Sequence, residues 1–600
     1  MTKEHSLLIC EIGPIFDFVR HSRKTKDYWS ASFLFSYIMA EVIKALQKEA
    51  DANIFRPNVK NELLVTGKGK ASAGSIPDQV FAIIPTSKKK DIGGIIENAK
   101  SQAIESLIPK IKAVVGDCAI VSQEVIDYIN IFYIFHDLSD ASLSHSENLE
   151  GERKIKARGM VRVFKPLTGE SIPKWKKCNL CGDRESVYQK TIGEDSDGFF
   201  KEERICSVCM FKRFLPDALK KLDTLKDIVV EPAFDSTTDI AAVPFFQHVK
   251  QLQEHFGDSS DEIKTLQTLY CQCAEEYKDA ALVALKKKCV GFDQDFGRCV
   301  YRSEDQPSAS LKKLRKAFEE TEEKMKQGNG DYVPLAWLKR PFYAIVYMDG
   351  DNMGNAIKDN KDRFSDYVGA VSRILSDFAL NHVSSIINKY KGQLIFAGGD
   401  DVNFMIHPEH LLDCVQELTS CYNTLFANDS LTRDKASILT LSAGAIVCYH
   451  KYPLSEAILK AYNVMTCRAK KLKNALAIQL IKGHTETLTF ALPNTALKDI
   501  VTLKEKFQNE LISRTTPHRI AAERGLLAML HASDEQAIRR YIGKLLAGTR
   551  NADTDKEQKM KIVKENVDLL MKFVDSGTLG DQGVDTLIDT LLYTRFLTGE

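Results

Sequence analysis

Two acidic turns about fifty residues apart limit what this chain can fold into. The first follows the apolar run FYAIVYM at 342–348, which reads straight into Asp349-Gly350-Asp351-Asn352-Met353-Gly354. A continuous apolar run of that length, closed by turn residues, reads as a buried strand. The second is Gly398-Gly399-Asp400-Asp401. It lies between Leu394 and Phe396 on one side and Val402, Phe404 and Ile406 on the other, which alternate with period two. Alternation on both sides of a Gly/Asp turn reads as a β-hairpin with its tip at 398–401.

Ligands in α/β sheets sit at strand ends. If the hairpin pairs beside the 342–348 strand, Asp349, Asp400 and Asp401 converge. Carboxylates crowded in this way repel and raise one another's pKa unless a cation lies among them. Mg²⁺ or Mn²⁺ favours such oxygen ligands, completed by water and substrate phosphates. Two such ions activate a 3′-hydroxyl and neutralise departing pyrophosphate. Asp349, Asp400 and Asp401 are therefore the candidate catalytic and metal-holding residues. Gly398 and Gly399 permit positive φ at the tip and a close backbone approach to phosphate. A plain solvated turn uses the same residue types, so it is the pairing of the two turns that carries the reading. Downstream, a strand with Ser442-Ala443-Gly444 is followed by a helix bearing Arg468, Lys470, Lys471 and Lys473, cations suited either to a triphosphate or to a solvated face.

A second metal signal is independent of the first. Cys178-x-x-Cys181 and Cys206-x-x-Cys209 lie in polar sequence, where thiols have no apolar packing role. Two CxxC knuckles about two dozen residues apart have the spacing of a closed, structural four-thiolate Zn²⁺ site. The other ten of the fourteen cysteines read as small core residues. His136-Asp137 suggests a metal-dependent phosphohydrolase or nuclease pair, but VSQEVIDYINIFYIF before it offers no histidine, so a structural role is expected. The Gly/Lys-rich stretch 66–75 lacks the phosphate-loop frame.

Six hundred residues exceed one core, at about 150 residues per domain. A formal charge of +1 gives no electrostatic grip on nucleic acid. No apolar run reaches the ~18 residues of a membrane span, and the N-terminus lacks a signal-peptide pattern. A cytoplasmic chain with no membrane contact is expected. Local patterns predict a strand at 6–10, one long helix from about Phe16 to Gln47, and a strand from Val80 to Ile84. Further on they predict strands at 438–447 and 475–481 flanking a helix at 454–473, and a helical tail after 495.

Several segments together resemble a known family. Ile12-Gly13-Pro14-Ile15-Phe16-Asp17-Phe18 and Arg23-Lys24-Thr25-Lys26-Asp27-Tyr28-Trp29-Ser30-Ala31-Ser32 are similar to the first-palm signature of the large, polymerase/cyclase-like subunit of type III CRISPR effector complexes, in its Cmr form. Ser75-Ile76-Pro77-Asp78-Gln79, Asp235 through Ala241, the twin CxxC pairs, DGDNMG, GGDD and SAG…RAKKLKNALAI follow in that family's order. The resemblance implies an α/β (α+β) architecture of two ferredoxin-like palm domains, a four-cysteine zinc segment and helical domains. Its division is a degenerate first palm at 1–165, a zinc segment at 166–225 and a helical domain at 226–340. A second, catalytic palm at 341–492 and a C-terminal helical domain at 493–600 follow. No carboxylate cluster is legible in the first palm, which is expected to shape the pocket and not to hold metal.

The resemblance also implies ATP as substrate, with Gly350, Asp351, Gly354, Gly398, Gly399, Ser442 and Lys470 as the nucleotide-binding set. It implies an adenylate second messenger, a cyclic oligoadenylate, made when a ribonucleoprotein complex containing CRISPR RNA binds target RNA. Partner subunits of that complex are expected. An HD nuclease domain, frequent in the family ahead of the first palm, is expected to be absent. Alternatives are AMP transfer to another acceptor and a non-catalytic scaffold; a diguanylate cyclase fits less well, because GGDD is not followed by Glu-Phe.

Overall fold

A computed structural model gives the fold and describes residues 4–58, 73–116, 120–140, 142–161, 176–194, 200–219, 235–276, 309–326, 341–483, 487–547, 556–576 and 583–598. Twelve strands in these residues form three sheets. The first sheet holds β1 (His5–Gly13), β2 (Asn53–Arg56), β3 (Gln79–Pro85) and β4 (Asn130–Asp137) in the order β2-β3-β1-β4. A ribbon of β5 (Tyr188–Glu194) and β6 (Phe200–Ile205) stands apart. The third sheet contains β7 (Phe342–Gly350), β8 (Gln393–Gly398), β9 (Asp401–Ile406), β10 (Leu441–Tyr449), β11 (Ala475–Ile481) and β12 (Thr487–Pro493). Its order is β12-β11-β10-β7-β9-β8.

The four strands of the first sheet and the first four of the third share one arrangement. Strand one is central, flanked by strands three and four, and strand two lies outside strand three, all antiparallel. That is the topology of the split βαβ, ferredoxin-like unit. The two palms expected from the sequence are present as this fold. The strand expected at 475–481 is β11, parallel to β10, and the third sheet goes one strand further than expected, because β12 returns antiparallel to β11.

The expected long N-terminal helix is two helices, α1 (Ile15–Arg20) and α2 (Thr25–Glu49). The chain breaks at 21–24 because the Asp27 carboxylate accepts the backbone N–H of Arg23 (3.2 Å) and Lys24 (3.0 Å), tying off the start of α2. By length and composition α2 is apolar enough to cross a membrane, contrary to the expectation that no segment is. The share of its most apolar window buried inside the fold is 78%, which makes it a core helix. The first unit is completed by α3 (Lys89–Val115), α4 (Ser122–Tyr128) and α5 (His145–Met160).

Period-two alternation divides the third sheet between two cores. Ala344, Val346 and Met348 of β7, with Val402, Phe404 and Ile406 of β9, face one core. Helices Phe364–Asp377 and Pro408–Asn428 and the C-terminal helices share it. Tyr343 and Ile345 of β7 and Met405 of β9 face the other core, which is continuous with α2 and the first unit. The two units are thus packed through a shared interior. The tail is held to this sheet by Phe490 against Tyr593 (ring centroids 5.5 Å) and Phe342 against Phe596 (5.0 Å). Most of the Gly/Lys-rich 66–75 stretch lies outside the described residues.

The cysteine segment docks on the first unit through α6 (Ser207–Leu219). The four ligand atoms of Cys178, Cys181, Cys206 and Cys209 lie within 4.8 Å of one another, and the Cys209 N–H points at Cys206 Sγ (3.5 Å). One turn beyond Cys209, Arg213 is buried and donates through Nε (2.6 Å) and Nη2 (2.9 Å) to the buried Asp27 carboxylate. It also pairs with Glu203. Next to it the buried Lys212 donates to the Phe18 carbonyl, with its ammonium 4.2 Å from the Phe18 ring centroid. Asp27 therefore serves both the start of α2 and the attachment of the cysteine segment.

His136 and Asp137 lie on β4 and are occupied locally: Asp137 accepts from Ser6 Oγ (2.8 Å) and pairs with Lys89, and His136 Nδ1 meets Lys154 Nζ (3.1 Å). That fits the structural role expected for the pair.

Removing one partner from a buried ion pair strands the other charge, at about 3–5 kcal/mol. Arg213→Met is therefore expected to lower stability by about that amount in a denaturant titration, far more than removal of the exposed Arg540. Equal effects would show that Asp27 is not desolvated as described.

Candidate active site

The register of the third sheet brings the three candidate acids together. Tyr347 lies opposite Asn403 and Met348 opposite Val402, so the next step places Asp349 beside Asp401. On its other side Asp349 pairs with Ser442 of β10. Asp400 occupies the turn, beside Gly399 at φ 65°. A Cβ on Gly350 would stand 2.7 Å from Asp400 Oδ2 and 2.8 Å from its Cβ, so the absent side chain is what lets Asp400 fold in beside β7. The sequence reading assigned both tip glycines to positive φ. Only Gly399 has it; Gly398 is required because a Cβ there would meet the Ser75 carbonyl oxygen at 2.9 Å.

Crowding shows in the ionisation of these groups. Burial, then the negative charge of Asp400, pushes the Asp349 carboxyl up to about 6, while Lys470 pulls it down. Asp401 is held well above the usual carboxylate range by burial and by Asp400, Asp349 and Asp78. Lys470 partly relieves the crowding: its Nζ lies 2.8 Å from Asp349 and 3.4 Å from Asp351, and it donates to the Gly350 carbonyl. The lysine follows a π-helical turn, Met465–Ala469, whose backbone presses onto β10. A Cβ on Gly444 would meet Met465 N at 2.3 Å.

Asp351 and Ser442, expected to face a nucleotide, are buried and face each other instead. The Asp351 carboxylate accepts from Thr440 Oγ1 (2.9 Å), Ser442 Oγ (2.8 Å) and the Asn474 N–H (2.9 Å). They brace the loop that carries Lys470, because a buried carboxylate this well hydrogen-bonded has no free lone pair to offer a ligand. Gly354 opens the short helix Met353–Asp359 and a side chain there would meet nothing within 4 Å. Of the other basic residues, Lys473 donates to Asn352 Oδ1 (2.5 Å).

Asp401 borders a cavity of about 580 Å³ between the two units. Phe16, Tyr462 and Tyr347 form its aromatic side, with Phe16 and Tyr462 centroids 4.6 Å apart. A narrower crevice of about 80 Å³ runs along the hairpin tip past Arg56 and Ser372. Asp78 and Asp401 line both.

Sequence reasoning missed two features here. The first unit does bring carboxylates: Glu11 and Asp78 line the cavity, and burial together with Glu11 raises the Asp78 carboxyl. The second is a bridge beneath the acids. The Tyr28 hydroxyl of α2 lies 2.7 Å from Asn403 Oδ1 and 2.9 Å from the Tyr347 hydroxyl. The matching first-palm segment containing Tyr28 and the Ser75–Gln79 segment were the available signals, but nothing local tells that they reach the other unit.

Asp349, Asp400 and Asp401 offer the all-oxygen donor set that a hard divalent cation takes. The raised carboxyls of Asp349 and Asp401 fit a positive charge among them. Asp401→Asn removes one of the mutually repelling charges. It is expected to raise the thermal midpoint in EDTA at neutral pH. A fall in that midpoint would mean the carboxylate is compensated in a way not described here.

Comparisons with known proteins follow the same division. Residues 342–477 match the Cas10/Cmr2 second palm domain, and residues 7–113 match the N-terminal region of the CRISPR-associated protein Cmr2. The CRISPR system Cmr subunit Cmr2 of Pyrococcus furiosus is 25% identical over 569 residues, covering 80% of this chain. The match takes in 62% of that relative's length. Among solved structures, the type III-B Cmr-β complex bound to cognate target RNA contains a chain with the same fold, at a TM-score of 0.64 and 14% identity, covering 99% of this chain and 83% of that one. The apo state of Cmr-β gives 0.63 and 14%, covering 99% and 82%. With a Cmr2 N-terminal domain and a Cas10/Cmr2 second palm in one chain, in that order, the protein belongs to the Cas10/Cmr2 family of type III CRISPR systems.

Proposed function

We propose that this chain is an ATP-dependent nucleotidyltransferase, activated by target RNA within a type III CRISPR ribonucleoprotein complex, that makes a cyclic oligoadenylate messenger. The observation that carries the reading is the convergence of Asp349, Asp400 and Asp401 at the hairpin tip, where Asp401 lines a 580 Å³ cavity formed by both palms and Asp400 lines the crevice beside it. In the reaction, the 3′-hydroxyl oxygen of one adenylate bonds to the α-phosphorus of an ATP. The bond to pyrophosphate breaks, and the hydroxyl proton leaves to solvent. Mg²⁺ or Mn²⁺ ions on the three carboxylates would supply polarisation of that hydroxyl and neutralisation of the leaving group.

The protein's own groups bind and orient. Phe16, Tyr347 and Tyr462 offer aromatic faces to an adenine. The Gly398-Gly399 backbone lines the crevice at the hairpin tip, where phosphate oxygens would approach. Lys470, already beside Asp349, is the cation within reach of a triphosphate.

The net charge of +1 leaves RNA sensing to partner subunits, with the C-terminal helices as the docking surface. Mass spectrometry of ATP reactions is expected to find oligoadenylate product from the assembled complex with matched target RNA, and almost none from the isolated chain or without target. Asp400→Ala with Asp401→Ala is expected to abolish the product while leaving assembly intact. Product from the double variant would refute the site, and equal rates with and without target would refute the gating. Pyrophosphate release with a singly adenylylated product would favour AMP transfer to another acceptor.

We further propose that the four-cysteine cluster holds one structural Zn²⁺, the ion that suits a closed set of four thiolates. Elemental analysis is expected to give one zinc per chain. Strong chelation should unfold the 176–219 segment first, measured as faster hydrogen exchange there, because the ion contributes much of the local folding free energy. Zinc-free protein with unchanged exchange would overturn this.

A further inference from the structure

Helix Pro408–Asn428 carries one polar group that the site as described leaves unused. Tyr422 is fully buried, its ring packed edge-on against Phe378 (5.1 Å) and tilted on Phe426 (4.9 Å). Its hydroxyl is buried and has no hydrogen-bond partner. The oxygen does not sit in an apolar pocket. It lies 2.8 Å from the point where a Gly350 Cβ would stand, and Asp400 Oδ2 lies 2.7 Å from the same point. Asp349, Asp351 and Asp401 also act on it electrostatically. A donor is thus buried among acceptors and bonded to none.

Leaving a buried hydroxyl unpaired costs about 1–3 kcal/mol. Such groups are rare in folded proteins, and each one calls for a physical reason. If Tyr422 served packing alone, phenylalanine would fill the space without that cost. The reason lies in what Asp400 does. Its side chain sits at the hairpin turn, free of the register that fixes Asp349 and Asp401, and Gly350 clears the space between it and the phenol. A carboxylate that binds a cation through one oxygen is commonly held by an outer hydrogen bond on the other, and loss of that bond costs about 10–100-fold in metal affinity.

We infer that Tyr422 is a positioning residue for Asp400: its O–H donates to the carboxylate oxygen turned away from a divalent cation, so the hydroxyl is satisfied only when the acid cluster is loaded. The inference rests on the reading of Asp349, Asp400 and Asp401 as a divalent-ion site. It adds a residue from the opposite face of the sheet to the cavity.

The test is Tyr422→Phe in the full chain, with Mn²⁺ binding followed by the loss of the free-ion electron paramagnetic resonance signal and thermal midpoints measured in EDTA. The expected result is an EDTA midpoint equal to or above that of the parent, with Mn²⁺ affinity about 10–100-fold weaker. Asp400→Asn with Tyr422→Phe should bind no more weakly than Asp400→Asn alone, because the tyrosine acts through that carboxylate. Unchanged affinity, or a lowered EDTA midpoint, would overturn the inference and reduce Tyr422 to a packing residue. If the parent chain itself bound no Mn²⁺, the ion-site reading would fail with it. If the parent bound Mn²⁺ and Tyr422→Phe bound it equally well, only the role of Tyr422 would fall.

Discussion

Like charges held close together set the terms for this structure. Asp349, Asp400 and Asp401 repel one another at the meeting point of β7 and the β8–β9 hairpin, and partial burial of Asp349 sharpens the conflict. Nothing in folding favours such an arrangement for its own sake. Everything around it reads as accommodation: Gly350 leaves room for Asp400, and Lys470 supplies a nearby positive charge. The Asp351–Ser442–Asn474 bonds fix the loop from which that lysine projects. The sheet order is what makes the conflict unavoidable, since β7 lies between β9 and β10 and its last residues must share space with both.

The rest of the molecule supports that point from the other side. Tyr347 and Asn403 lie one alternation behind the acids, and both meet Tyr28 of α2. Tyr28 follows Asp27, which Arg213 of the cysteine segment grips with two hydrogen bonds. The first palm, the four-cysteine segment and the strands that carry the acids are therefore joined by directly bonded neighbours. A palm whose own cluster of acids is incomplete still contributes Asp78 to the electrostatics of Asp401.

What the sequence disclosed, and what it hid, follows from the range of each interaction. Asp349, Asp400 and Asp401 were legible because each sits where an alternating or apolar run gives way to a turn, a pattern written within ten residues. The cysteine quartet was legible for the same reason. Strand order depends on pairings a hundred residues apart, so the two palms came through resemblance and not through periodicity. Asp78, Tyr28 and Tyr422 carry no local mark: each is an ordinary residue on an ordinary element whose meaning comes from the element it meets. Gly398 was misread because a turn glycine suggests backbone freedom, whereas here it makes room for Ser75. The break between α1 and α2 was missed because a single carboxylate, Asp27, outweighs an otherwise helical stretch.

Gly444 shows how far such distant control can reach. It lies in the middle of β10, has no charge and touches no acid. Yet the backbone of Met465 rests where its side chain would be, and the π-turn that begins there delivers Lys470 to Asp349. The height of that turn above the sheet is thus gauged by the smallest residue available. Even one methyl group would act as a shim under the helix, lifting the lysine off the carboxylates with no charged residue of the site replaced. The charge balance of this centre is adjustable from a position that contributes no chemistry to it.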